Sequence, residues 1–91
     1  MKTVVGLVTP HLLRIVDLAN GAENGVNVDW HVRDAVSRSM ADLSDQYNAA
    51  DLVTAYIDGL ENAAAQAPRA RTSYARALLA AAEAARRLRR D

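Results

Sequence analysis

Apolar residues recur at helical spacing along most of this chain. Leu12, Leu13, Ile15, Val16 and Ala19 form a broad apolar face, which predicts a short first helix. Thr9-Pro10 reads as an N-cap followed by proline at the first helical position, where its missing N–H is harmless. Asn20-Gly21 reads as the matching stop. The β-branched stretch from Thr3 to Val8 has two readings: extended chain, or an extra turn or two of helix kinked at Pro10.

The next segment carries a conflict of periods. Val26, Val28, Trp30 and Val32 alternate with Asn27, Asp29, His31 and Arg33, as a strand would. Over a longer stretch Val28, Val32, Val36, Met40, Leu43 and Tyr47 make a helical stripe, and Asp29/Arg33 and Asp34/Arg38 are favourable pairs four residues apart. The longer pattern predicts a helix over 28 to 46. A third helix restarts near Asn48, with Leu52, Tyr56, Leu60 and Ala63 along one edge. Gly59 weakens it by up to about 1 kcal/mol relative to alanine, which suggests that a neighbouring helix approaches closely there. After Ala67-Pro68 a fourth helix opens at Thr72 or Ser73, either of which can cap it. Along it Tyr74, Leu78, Ala81, Ala85 and Leu88 repeat at spacings of four, three, four and three, the seam of a short coiled coil.

These patterns predict one domain over residues 1–91, an all-α four-helix bundle with a short first helix and a long basic last one. The alternative is an α+β fold with short strands near 3–8 and 25–32. Composition makes the bundle lean. Nineteen residues are alanine and none is phenylalanine, and alanine adds little buried area. A chain of this size and make-up gains from burial against a partner, so homo-oligomerisation or membership of a larger assembly is expected. There is no cysteine, so disulfides and thiolate metal sites are excluded, which suits the cytoplasm or a particle assembled there. Pro10, His11, Arg14 and Asp17 interrupt the apolar N-terminal run, so no membrane span is expected. Ten arginines against one lysine hint at GC-rich coding, and hence at a bacterium or its phage.

Charge is sorted along the chain. Residues 1–68 hold nine acids against four bases, and residues 69–91 hold seven arginines against Glu83 and Asp91. A net charge of zero therefore hides a body near −5 and a tail near +5. Such poles call for an acidic counterpart to the tail: the body, a second copy, another protein or a nucleic acid.

Three sets of candidate residues follow. Arg69, Arg71, Arg76, Arg86, Arg87, Arg89 and Arg90 are candidates for an acidic partner or for phosphate. The third helix is acidic, so no basic recognition helix is on offer. Trp30 lies off the apolar stripe and is a candidate interface anchor. The Tyr74, Leu78, Ala81, Ala85, Leu88 seam is a candidate docking edge. His11 and His31 stand alone, and no phosphate loop or metal-ligand spacing occurs, so catalytic residues, metals and cofactors are not expected. The leading functional expectation is a non-enzymatic protein-interaction or assembly subunit of a bacterial or phage complex, docking through its basic last helix. A small nucleic-acid-binding regulator is the alternative, and an inhibitor or antitoxin-like protein the third.

Overall fold

The computed structural model describes residues 3–89, folded into four helices: α1 (Val4–Glu23), α2 (Asp29–Ser44), α3 (Ala49–Ala65) and α4 (Thr72–Leu88). No strand occurs among them, and the α+β alternative is not supported. Each helix packs against the other three around one core. Contacts taken together give the directions: His11 meets Ser39 while Leu18 lies beside Asp34, Arg86 meets Glu61 while Arg89 meets Thr54, and Glu23 at the end of α1 meets Tyr74 at the start of α4. Thus α1 runs antiparallel to α2 and parallel to α3, while α4 runs antiparallel to α3.

The first helix is longer than the sequence suggested. Thr3, not Thr9, is its N-cap, and the Thr3 hydroxyl accepts the Gly6 N–H at 3.0 Å. Pro10 lies inside the helix, where its ring removes a hydrogen bond to the Gly6 carbonyl and costs about 3 kcal/mol. Burial outweighs that cost. Val8 is fully enclosed and Val4 and Leu7 are packed on the core, each such side chain contributing up to roughly 1.5–3 kcal/mol. Gly6 and Pro10 are both exposed, so water can serve the freed carbonyl. Thr9 instead donates its hydroxyl to the Val5 carbonyl at 2.7 Å. The stop is likewise one turn later than Asn20-Gly21. Gly25 adopts φ +89°, Val26 N–H returns to the Gly21 carbonyl, and Gly25 N–H returns to that of Ala22, the Schellman arrangement that favours glycine.

The conflict over residues 25–32 resolves by burial. Val28 and Val32 are buried, whereas Val26 and Trp30 are exposed, so the four do not share a face as a strand would require. Helix α2 buries Val32, Ala35, Val36, Ser39, Met40 and Leu43. It ends at Ser44, and Tyr47, expected on the same stripe, stands fully exposed in the following turn. Helix α3 buries Leu52, Val53, Tyr56, Ile57, Leu60 and Ala64. A Cβ at Gly59 would lie 2.8 Å from a Leu12 methyl, so the missing side chain is what lets α1 approach. Thr72 and Ser73 do not cap α4. Arg71 holds that position without a side-chain bond, and Glu23 at the end of α1 accepts the Tyr74 N–H at 3.1 Å.

Candidate functional site

One polar cluster lies within the bundle, where α1, α2 and α3 meet. His11 Nδ1 is 2.8 Å from Ser39 Oγ, and the His11 ring stands edge-on to Tyr56 at 6.3 Å. Ser39 and Tyr56 are both fully buried. Burial lowers the His11 pKa from its ordinary value, Asp42 opposing the shift and Arg14 adding to it. Burial raises the Tyr56 phenol, against which Ser39 and Arg14 act. The Tyr56 hydroxyl nonetheless has no partner at hydrogen-bond geometry. A serine on an imidazole is the pairing that activates a nucleophile, but a substrate carbonyl cannot reach a serine enclosed on every side. The cluster is a polar element of the core. The sequence held a signal for it: His11 falls in register with Val8 and Ile15, and Ser39 with Val36 and Leu43.

The expected docking seam is turned inward. Leu78, Ala81 and Ala85 are completely buried by the other helices, and Tyr74 packs against the same core. These four are occupied within the chain, and of the seam only Leu88 is exposed. Leu78 followed by Ala81 and Ala85 marks the side of α4 that closes its own bundle, because small residues let α4 lie close to its neighbours.

The six described arginines of this set separate into two groups. At the C-terminal end of α4, Arg86 Nη2 reaches both Glu61 oxygens at 2.7 and 2.8 Å. Arg87 pairs with Glu83 at 2.7 Å, and Arg89 donates to Thr54 Oγ1 at 2.6 Å. Glu61 raises the Arg86 pKa, by its hydrogen bond first and its charge second. Arg90 lies outside the described residues. At the other end, Arg69, Arg71 and Arg76 converge on one shallow depression of about 320 Å³ beside the α3–α4 turn. Arg71 donates to Asn20 and lies over the Tyr74 ring at 4.1 Å. Among the described residues, Arg69 and Arg76 have no carboxylate at ion-pair distance.

Trp30 is exposed on the first turn of α2, edge-on to His31 at 5.3 Å. Beside it, Asp29, Arg33, Ala80, Ala84 and Arg87 line part of a depression between α2 and α4 of about 300 Å³. A wider one of about 810 Å³, including Met40, Ala41, Ala49, Val53 and Leu88, opens where α2, α3 and the end of α4 meet. The described residues contain no cluster of three metal-ligating side chains, and no helix long and apolar enough to cross a membrane. The chain matches no known protein family, no curated protein and no solved structure.

Proposed function

We propose that this chain is a non-enzymatic assembly subunit that binds another protein or a second copy of itself. The exposure of its aromatic residues supports this reading. Trp30 is 65% exposed and Tyr47 100%. Scattered exposed Leu or Val is ordinary, but Trp and Tyr are the residues that anchor interfaces when buried there. The absence of catalytic spacing in the sequence and the enclosure of Ser39 point the same way. The basic last helix is a smaller part of this proposal than its sequence suggests, since its seam serves the core and Arg86, Arg87 and Arg89 bond within the chain.

Light scattering on the untagged chain at low salt tests it. The expected result is a mass well above the 9.8 kDa of one copy, or recovery of a protein partner in the same preparation. Trp30 is the only tryptophan, so its emission reports its own burial. It should shift to shorter wavelength as complexes form, and Trp30→Ala should weaken them. A chain that stays single at every salt concentration and recovers no partner sinks the proposal.

A further inference from the structure

We infer that copies of this chain pair by seating the exposed acidic turn between α2 and α3 of one copy in the arginine-lined depression at the start of α4 of another. The inference rests on the assembly reading above and names the two surfaces.

The depression has the make-up of a receptor for an acidic group carried beside an apolar one. Arg69, Arg71 and Arg76 supply the charge; Pro68, Ala75 and the half-exposed Leu79 supply the apolar surface; no acidic residue lines it. Arg71 is held in place by Asn20 and Tyr74, so part of the site is ordered before anything binds. Arg69 and Arg76 are exposed and without a carboxylate partner among the described residues. This sets the depression apart from the far end of α4, where Arg86 and Arg87 are paired with Glu61 and Glu83 and Arg89 is bonded to the Thr54 hydroxyl.

The turn is the complementary shape. Tyr47 projects completely into water between the exposed residues Asp45 and Asp51, with exposed Asp42 one turn before. No lysine or arginine occurs between Arg38 and Arg69. Arg89, bonded to Thr54, is the described cation near this end. A tyrosine flanked by carboxylates presents a ring for Leu79 and Pro68 and charges for Arg69 and Arg76, whose guanidiniums bind carboxylates in a planar, directed way.

The two features sit at opposite ends of α3, whose 17 residues span roughly 25 Å. A chain cannot fill its own depression with its own turn. The contact therefore joins unlike surfaces of two copies. An extended nucleic-acid backbone fits less well, because the depression is small, its only aromatic neighbour is covered by Arg71, and the surrounding body is acidic.

Charge-reversed variants of the full chain test the pairing. One carries Tyr47→Ala and Asp45→Arg; the other carries Arg69→Glu and Arg76→Glu. All four positions are exposed, and circular dichroism and melting establish that each variant folds. Sedimentation at low salt should show self-association of the parent, weakened at least about tenfold in either variant, the scale of losing an anchor or a charge partner. Mixing the two variants should restore a one-to-one complex, since one intact turn and one intact depression remain. Undiminished self-association of either variant, or no complex from the mixture, overturns the inference. If Trp30→Ala weakens the assembled parent while neither charge-reversed variant does, the inference falls and the assembly reading stands; a parent that never associates and finds no partner ends both. An oligonucleotide bound by the Tyr47 variant and released by the arginine variant would make the depression a phosphate site, and that too overturns it.

Discussion

His11 sits where a proton is unwelcome. Its imidazole is drawn out of water between helices, bonded to buried Ser39 and edge-on to Tyr56, with Asp42 on α2 in partial compensation. Its folded pKa lies below the ordinary 6.5, so the unfolded chain takes up the proton first. Stability from this group is complete above 6.5 and is lost as pH falls below it, down to the folded value. Urea melts at pH 7.5 and 5.5 should show a larger fall for the parent than for His11→Asn. Equal falls in the two proteins would mean that His11 is not the source. The same cluster leaves the Tyr56 hydroxyl unpartnered, a local imperfection in a core otherwise made of aliphatic side chains.

At the scale of elements, the join between α1 and α4 is made by side chains from distant parts of the sequence. Glu23 takes the Tyr74 N–H, and Arg71 reaches back to Asn20. A carboxylate at a helix start both accepts an otherwise unpaired N–H and opposes the positive end of the helix dipole. Glu23→Ala should lower stability by about 1 kcal/mol, in the range of lost caps, with Glu23→Gln losing less because it keeps an acceptor. Amide exchange near Thr72 to Tyr74 would report the fraying, and unchanged exchange would contradict the role. No local pattern could have revealed this cap, because donor and acceptor lie 51 residues apart. The helices themselves were legible wherever a stripe ran long: Val28 to Leu43, Leu52 to Ala63, Leu78 to Ala85. The close approach at Gly59 was legible too. The errors came where a short signal competed with burial. Thr9-Pro10 looked like a beginning, yet Val4, Leu7 and Val8 had apolar surface to bury upstream. The seam on α4 looked like an outward edge, because spacing alone cannot say which side of a helix is covered by its own chain. The arginines were visible as a cluster, but their division between two ends needed the positions of Glu61, Thr54 and Asn20.

For the molecule as a whole, the opposite charges of body and tail meet partly within one chain. Arg86 of α4 lies on Glu61 of α3, so antiparallel packing of α4 on α3 neutralises some of the polarity seen in the sequence. This pair is half exposed and contributes little to stability. The interior relies on Ala19, Ala35, Ala64, Ala77, Ala81, Ala82 and Ala85 alongside a modest set of larger side chains. Such a bundle gains stability by mass action from whatever it binds. Its melting temperature should rise with protein concentration at low salt, and this rise should shrink at high salt, where exposed charges are screened over a few ångströms. A melting temperature independent of concentration would argue that folding is complete in the single chain.

The placement of α4 also bears on how the protein is made. Ile15 and Ala19 of α1, Val32 of α2 and Leu60 of α3 belong to a core that Leu78, Ala81 and Ala85 complete, and α4 is the last of the four helices to be synthesised. Until it leaves the ribosome, the three earlier helices have an uncovered oily cleft, the kind of surface that chaperones hold and that sticks nascent chains together. Any delay in the docking of α4 would therefore prolong the period in which this small protein is most prone to aggregate.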